Sequence, residues 1–231
     1  MEKYYKIAGL TVKMDSFGRT VEQARHYETA PCETPDITVV SNWPVKKPEY
    51  PDLSDSDGEY LATGASFYKE LLNHDGLMLH SSAVVLDGRA YLFTADCGTG
   101  KSTHTGLWLK AFGDRAYILN DDKPALRLEN GVWYAYGTPW SGKHDISVDA
   151  RVPVGGIALV IRSHTNRMEP LTGLEAVTQL LRQATRSNVM EYRAKLLELT
   201  DLLIRGVPIW KLYCNMDVEA ALVAHSTMSA Q

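Results

Sequence analysis

The chain has 231 residues, of which 45% are hydrophobic and 23% charged, and this balance excludes a largely disordered or collagen-like protein. Its 24 basic and 28 acidic side chains give a formal net charge of −4, which disfavours general binding of nucleic acid because phosphate neutralisation needs clustered lysine and arginine. No apolar run approaches the roughly 20 residues of a membrane span, and the start of the chain lacks the features of a signal peptide. We therefore expect a cytoplasmic protein without a membrane or nucleic-acid partner, in which the three distant cysteines, Cys32, Cys97 and Cys214, are free thiols.

Residues 1–57 differ in pattern from the rest of the chain. Residues 4–13 and 36–40 are β-prone runs, whereas residues 44–57 combine three prolines with an acidic run. Prolines with fixed φ followed by turn formers predict a loop or linker. We therefore predict a small N-terminal β-rich appendage over residues 1–57 and a main domain over residues 58–231.

From residue 58 onward, predicted strands and helices alternate. Helices are predicted over residues 59–73, 101–112, 174–186, 190–205 and 218–225. Strands are predicted over residues 77–86, 90–94, 116–119, 126–129, 132–136, 155–161 and 208–213. Asp87-Gly88 and Asn130-Gly131 each separate two β-prone runs, which predicts two antiparallel hairpins. The chain is therefore predicted to be α/β, with a mixed, partly antiparallel sheet.

Residues 95–102, Ala-Asp-Cys-Gly-Thr-Gly-Lys-Ser, match the phosphate-binding loop pattern G-x-x-x-x-G-K-[ST], except that Ala95 replaces the first glycine. Gly98 and Gly100 allow backbone N–H groups to turn inward around an anion. The helix that begins near residue 101 adds the positive end of its dipole. A predicted strand precedes the loop and a predicted helix follows it, which is the context that this motif requires.

The side chains of this loop suggest a division of roles. Lys101 is expected to reach the β- and γ-phosphates, the Ser102 hydroxyl to hold Mg²⁺, and Thr103 to touch the next phosphate inward. Cys97 lies within the loop and is expected to face away from the phosphates. The predicted nucleotide-binding residues of the loop are Cys97, Gly98, Thr99, Gly100, Lys101, Ser102 and Thr103.

Asp121 and Asp122 follow the predicted strand over residues 116–119. A carboxylate that faces the loop from a strand end supplies a Mg²⁺ ligand, and two adjacent carboxylates cannot both point the same way. We expect one to bind the metal or its water and the other to accept a proton from a nucleophile, and the pattern leaves open which does which. His80 lies on the strand that forms a hairpin with the strand before the loop, so it is expected near the phosphates. The alternative is an ordinary core histidine.

Residues 137–145 form a second segment rich in glycine and polar side chains. Lys143 is expected to compensate phosphate charge, and His144 and Asp145 are further candidates. The alternative is a packed structural turn anchored by Trp140. Candidate transition-state stabilisers elsewhere in the chain are Arg162, Arg167, Arg182 and Arg186.

Taken in chain order, the His80-Ser81-Ser82-Ala83 run, the glycine-rich loop and the Asp121-Asp122 pair resemble the HPr kinase/phosphorylase and phosphoenolpyruvate carboxykinase superfamily. Residues 79–84, 119–124 and 137–143 make the chain most similar to small bacterial HPr-kinase-like proteins. The resemblance covers roughly residues 60–225 and implies a P-loop kinase core of that type. It implies that Gly98 to Thr103 bind ATP phosphates, that Ser102 and Asp121 or Asp122 touch the metal, and that His80 assists at the metal or at the transferring phosphate.

Two functions are consistent with these features. The first is an ATP- and Mg²⁺-dependent kinase that transfers the γ-phosphate to a hydroxyl, in particular that of a serine in a peptide or small protein, with a small-molecule hydroxyl as another acceptor. The alternative is a non-catalytic nucleotide-binding sensor or scaffold module. Family members can form homo-oligomers. Carboxylation chemistry is disfavoured because the N-terminal part is too short for the large first domain of the carboxykinases.

Overall fold

The computed structural model describes residues 2–185 and 189–230, and within them the chain is α/β with two sheets. The N-terminal sheet has four strands: β1 (Glu2–Ile7), β2 (Leu10–Asp15), β3 (Glu28–Thr29) and β4 (Ile37–Val39). Its strand order is β3-β1-β2-β4. Ala8 and Gly9, both with positive φ, join β1 to β2, so the predicted run over residues 4–13 is an antiparallel hairpin.

A larger sheet forms the centre of the molecule. In the described part of the chain its nine strands are β5 (Gly76–Met78), β6 (Ser81–Leu86), β7 (Arg89–Thr94), β8 (Ala116–Asn120), β9 (Ala125–Glu129), β10 (Val132–Tyr136), β11 (Arg151–Arg162), β12 (Arg167–Pro170) and β13 (Ile209–Cys214). The order is β5-β9-β10-β11-β7-β6-β8, with β13 on β11 and β12 on β13. Parallel and antiparallel pairs coexist, so the predicted mixed sheet is confirmed.

The helices of the described residues are α1 (Gly18–Ala24), α2 (Trp43–Lys46), α3 (Asp55–Leu71), α4 (Lys101–Phe112), α5 (Gly173–Gln183), α6 (Met190–Gly206) and α7 (Glu219–Met228). Helix α4 has the predicted bounds, and Gly113 ends it with a φ of +56°. The sequence pattern does not predict α1 or β12. No helix in residues 2–185 or 189–230 is long and apolar enough to cross a bilayer.

The segment over residues 44–57 is partly helical, where the sequence predicts a loop. Helix α2, which begins at Trp43, extends into it, and α3 begins at Asp55. The Ser54 hydroxyl accepts a hydrogen bond from the backbone N–H of Asp57 at 3.1 Å. Acidic side chains in the first turn stabilise the helix because they interact with the positive end of its dipole. The acidic run is therefore a helix start, and the predicted boundary between residues 57 and 58 lies inside α3.

The N-terminal sheet shares a hydrophobic cluster with the rest of the chain. Tyr5 and Met14 of this sheet are buried with Phe67 and Tyr68 of α3 and with Trp140. The Trp140 ring stacks on Phe67 with centroids 4.9 Å apart. Because this cluster spans residues from both parts, the N-terminal segment packs directly on α3 and on the loop that contains Trp140.

The predicted strand over residues 77–86 is in fact two strands, β5 and β6, which are separated at Leu79 and His80. Leu79 forms an isolated bridge with Ala184, and the His80 N–H donates to the Gln183 carbonyl at 2.8 Å. The chain changes partners here, because β5 pairs with β9 whereas β6 pairs with β7 and β8. The apolar run could not reveal this break, since both strands are largely buried.

Strand direction gathers several chain segments at one edge of the larger sheet. Strand β6 is antiparallel to both β7 and β8, and β7, β11 and β13 are mutually parallel. The carboxyl ends of β7, β8, β11 and β13 therefore lie at the same edge as the amino end of β6. The residues at that edge are His80, Ala95, Asp121, Arg162 and Asn215.

Candidate functional site

The glycine-rich loop, defined here as residues 95–100, connects β7 to α4. Gly98 has a φ of +75° and Gly100 a φ of +122°. A Cβ added at either position would meet no atom within 4 Å, so the backbone angle, and not crowding, requires glycine. Helix α4 begins directly after the loop, and its unpaired N–H groups open at the sheet edge. The local geometry is suited to an anion.

Lys101 is the first residue of α4 and is buried, with 8% of its surface exposed. Its ammonium donates to the Ala95 carbonyl at 3.0 Å, inside the loop. Burial lowers the pKa of Lys101 from its ordinary value, while the charges of Asp122 and Asp121 act to raise it. The lysine and the acidic pair therefore interact electrostatically.

The next residues of α4 are less enclosed. Ser102 and Thr103 are exposed in the first turn, and Cys97 is exposed in the loop. The side chains of Ser102 and Thr103 are therefore accessible to a ligand at the helix N-terminus.

All three cysteines are free thiols, as predicted. Cys214 is buried, and burial raises the pKa of its thiol to about 11.

Asp121 faces helix α4. One of its carboxylate oxygens accepts a hydrogen bond from the Ser82 hydroxyl at 2.6 Å. The same hydroxyl lies 2.8 Å from the Thr105 hydroxyl, which is one turn beyond the start of α4. Ser82 and Thr105 are both buried, so this short network fixes the carboxylate relative to the helix that carries Ser102.

Asp122 points to a different set of neighbours. Its Oδ1 lies 3.2 Å from the Nε2 of His80, and its Oδ2 contacts the Lys123 ammonium. Burial acts to raise the pKa of Asp122, but the hydrogen bond to His80 and the charge of Lys123 lower it to about 2. Asp122 is therefore ionised at neutral pH.

Asn120 is buried and fixes the backbone that follows β8. Its side-chain oxygen accepts from the backbone N–H groups of Asp122 at 3.1 Å and Lys123 at 2.8 Å. Its amide nitrogen donates to the Thr138 carbonyl at 3.0 Å. Asn120 is not among the site residues predicted from the sequence, although an asparagine just before a turn often forms such side-chain-to-backbone bonds.

His80 has a second partner that lies far away in the sequence. Its Nδ1 lies 3.2 Å from the side-chain oxygen of Gln183, at the end of α5. The amide nitrogen of the same glutamine donates to Asp96 in the glycine-rich loop at 3.1 Å. Gln183 is buried. Its side chain contacts both the glycine-rich loop and His80, and His80 in turn contacts Asp122, so these residues form one continuous set of polar contacts. His80 lies in a polar cluster at the sheet edge and is not packed in an apolar core.

The loop over residues 137–145 is held by Trp140, which is 1% exposed. The structural role of Trp140 is thus evident, whereas Lys143 and His144 are exposed on the loop surface. Gly142 has a φ of +81°, and a Cβ at this position would lie 3.0 Å from the Cβ of Asp122. The loop therefore packs closely against the acidic pair.

Arg162 ends strand β11 next to the glycine-rich loop. Its Nε donates to the Thr99 carbonyl at 3.0 Å, and its Nη2 donates to the Gly98 carbonyl. These carbonyls belong to the loop backbone, so the guanidinium supports the loop conformation from the sheet side. Of the candidate arginines in the described residues, Arg162 is thus the one whose contacts hold the loop backbone.

Two of the other three arginines, Arg167 and Arg182, lie in the described residues and occupy different positions. Arg182 lies 3.8 Å from Asp96 and is more than half exposed. Arg167 pairs with Glu169 on the outer strand β12, away from the acidic pair. Arg186 lies outside the described residues.

Two clefts flank the glycine-rich loop. One, of about 530 Å³, is lined by the loop together with Arg162, Gln179 and Arg182. The other, of about 600 Å³, lies between the loop, α4 and the end of β13, and its lining residues include Thr103, Leu107, Asn215 and Met216. The second cleft is on the side of the loop opposite to β8 and the acidic pair, because β11 and β13 follow β7 in that direction.

The described residues include no group of three or more His, Cys, Asp or Glu side chains that could hold a metal ion. Mg²⁺ does not require such a group, since it keeps several waters and binds one or two carboxylates together with substrate phosphates. Asp121 and Ser102 offer an oxygen donor set of this kind, one at the end of β8 and one at the start of α4.

No protein-family model matches the chain, and no curated protein matches it. Solved structures that resemble it include the Hpr(Ser) kinase/phosphatase from Coxiella burnetii, which is 12% identical. That alignment covers 65% of this chain and 95% of the other, with a TM-score of 0.39. A similarity at this level establishes neither a family nor an activity for this chain.

Proposed function

We propose that this protein is an ATP-dependent kinase that transfers the γ-phosphate to a hydroxyl, in particular that of a serine in a peptide or small protein. The observation that carries the proposal is the convergence at one sheet edge of the glycine-rich loop with Lys101, the carboxylates of Asp121 and Asp122, and His80. Phosphoryl transfer depends mainly on positioning and charge stabilisation, and these residue types supply both.

The phosphates are proposed to bind in the glycine-rich loop. The N–H groups of the loop and of the first turn of α4 would donate to them, and the Lys101 ammonium would exchange its contact with the Ala95 carbonyl for a phosphate oxygen. With the γ-phosphate toward the acidic pair, the nucleoside would extend into the cleft lined by Leu107, Asn215 and Met216. Arg162 would hold the loop backbone in place.

The donors at Asp121 and Ser102 fit a Mg²⁺ ion. When bound there, the ion would offset negative charge on the β- and γ-phosphates. Asp121 is assigned to this role, and Asp122 is not, because Asp121 is hydrogen-bonded through Ser82 toward α4. Asp122 faces His80 and Lys123 instead.

Asp122 is assigned the role of orienting the acceptor hydroxyl. As an ionised carboxylate it would accept a hydrogen bond from the acceptor hydroxyl and orient that oxygen toward the γ-phosphorus. The acceptor oxygen forms a bond to phosphorus as the bond to the β,γ-bridging oxygen breaks, so that ADP leaves. The hydroxyl proton passes to Asp122 late in the step. His80 and Lys123 would keep the carboxylate ionised until then.

The test is phosphate transfer to candidate acceptors. The protein is incubated with Mg²⁺ and γ-labelled ATP together with serine-containing peptides, the same peptides with alanine at each serine, and small hydroxyl compounds. We expect label on serine peptides and none on their alanine counterparts. Saturable ATP binding without transfer to any acceptor would favour the non-catalytic nucleotide-binding function.

His80→Ala is expected to lower turnover by about 100-fold, because the variant removes a donor that orients Asp122. The melting temperature should change by only a few degrees, since His80 lies at the sheet edge and is partly exposed. Turnover and thermal unfolding are measured on one preparation, with the exposed His164→Ala as a matched control. A large fall in stability with normal turnover per folded molecule would instead identify His80 as a structural residue.

Asp121→Asn is expected to weaken the response to Mg²⁺. The Mg²⁺ concentration that gives half-maximal turnover should rise by about 10- to 100-fold, because a charged oxygen ligand is replaced by a neutral one. Turnover is titrated with Mg²⁺ at saturating ATP for wild type, for Asp121→Asn and for the exposed control Asp52→Asn. An unchanged Mg²⁺ titration would contradict the assignment of Asp121 to the metal.

A further inference from the structure

The N-terminal segment reaches the acidic pair through one backbone group, the Gly142 carbonyl. The Arg19 guanidinium of α1 donates through Nη2 to this oxygen. Gln23, one helical turn later, donates its side-chain amide to the same oxygen at 3.2 Å. Two donors from α1 therefore converge on a single acceptor, more than 100 residues away in the chain.

Arg19 is itself held in place on three sides. Its Nη1 lies 3.2 Å from the carboxylate of Asp57, and its backbone N–H donates to the Ser56 hydroxyl at 2.9 Å. Its guanidinium carbon lies 3.9 Å from the centre of the Tyr60 ring. A planar group that bridges a carboxylate and a carbonyl while stacking on a ring makes contacts that a lysine cannot reproduce.

Gly142 transmits this arrangement to Asp122. Its N–H donates to the Tyr60 hydroxyl at 3.1 Å, so both backbone groups of Gly142 are fixed by α1 and α3. A Cβ on Gly142 would lie 3.0 Å from the Cβ of Asp122, which shows that the Gly142 backbone lies close to the Asp122 side chain. A shift of Gly142 would therefore change the space available to the Asp122 side chain.

We propose that Arg19 is a positioning residue for Asp122, and that α1 of the N-terminal segment thereby completes the candidate site. Arg19 does not touch the reacting groups. It fixes the Gly142 backbone, and this backbone confines Asp122 to the orientation in which it meets His80. The activity consequence rests on the proposed kinase function, whereas the contact itself is open to a test that needs no activity.

The first measurement is hydrogen exchange of the Gly142 amide in Arg19→Gln, with Arg25→Gln as the control because Arg25 is an exposed arginine of the same segment. We expect exchange at Gly142 to be faster by about 10-fold or more in Arg19→Gln, since the loop opens more often once a donor to its carbonyl is lost. Exchange at Gly142 should match wild type in Arg25→Gln. Unchanged protection in Arg19→Gln would overturn the proposal.

The second measurement separates positioning from stability. In Arg19→Gln, kcat per folded molecule should fall by about 10- to 100-fold, while KM for ATP stays within about twofold, because the nucleotide-binding loop is untouched. Gly142→Ala should lower kcat per folded molecule by a similar factor. In the double variant the fall in kcat should be smaller than the product of the two single falls, since both substitutions act through one contact. Normal kcat per folded molecule in Arg19→Gln would contradict the inference.

The hydrogen-exchange and kinetic measurements also distinguish a failure of this inference from a failure of the proposed function. If wild type binds no nucleotide and transfers no phosphate, the kinase proposal fails, and the exchange of Gly142 still decides whether Arg19 fixes the loop beside Asp122. If Arg19→Gln folds poorly, Gln23→Ala removes the other donor to the same carbonyl and should give a smaller change in the same direction in both measurements.

Discussion

Lys101→Ala is expected to lower phosphate transfer by about 10³-fold or more, because the variant removes the buried positive charge at the start of α4, beside the loop that would hold the phosphates. The ammonium is buried and donates to a loop carbonyl, and Asp121 and Asp122 act on it electrostatically. Affinity for Mg²⁺·ATP should fall together with turnover. Both are measured by titration calorimetry and by label transfer from γ-labelled ATP.

The matched control for this variant is Lys110→Ala, which removes an exposed lysine from the same helix. It should leave ATP affinity and turnover unchanged, and both variants should unfold at temperatures close to that of wild type. Wild-type ATP affinity in Lys101→Ala would contradict the assignment of residues 95–102 to the phosphates.

Asp122→Asn is expected to give the second largest effect, a fall in turnover of about 10²- to 10⁴-fold with little change in ATP affinity. The amide no longer accepts the acceptor proton, whereas the glycine-rich loop and Asp121 remain. In this variant the measured turnover should therefore fall while the measured ATP affinity stays close to that of wild type. Asp114→Asn, an exposed aspartate on the turn after α4, is the control and should behave as wild type.

The same variant changes stability at acid pH. The folded pKa of Asp122 is lowered to about 2, so its ionised form contributes stability above its unfolded pKa of roughly 4. That contribution is lost as pH falls from about 4 through 2. Chemical unfolding of Asp122→Asn over this range should therefore show a shallower loss of stability than wild type. The same loss of stability with falling pH in the two proteins would contradict the pairing of Asp122 with His80.

Local sequence signals predicted much of the candidate site. The glycines at 98 and 100 have positive φ, and α4 has the expected bounds, because a strand, a glycine-rich turn and a helix start are specified by neighbouring residues. The Asp87-Gly88 hairpin was predicted for the same reason, and both of its turn residues have positive φ. The pattern left open which role Asp121 and Asp122 each take, and the proposed division rests on their different hydrogen-bond partners.

Contacts between distant segments could not be predicted in this way. Gln183 lies 103 residues from His80, and Arg19 lies 123 residues from Gly142. Glutamine and arginine are also common on solvated helix faces, so neither residue stands out in a single sequence. The break at Leu79 and His80 was missed because it results from a change of strand partner and not from any turn-forming residue.

The most direct test of the central claim compares Mg²⁺·ATP with AMP in titration calorimetry of the wild-type protein. The proposed function requires the β- and γ-phosphates to bind in the glycine-rich loop beside Lys101 and the acidic pair. It therefore predicts that Mg²⁺·ATP binds one site at least about 100-fold more tightly than AMP, since AMP lacks both of these phosphates. Equal affinity for the two nucleotides, or no binding of either, would contradict it.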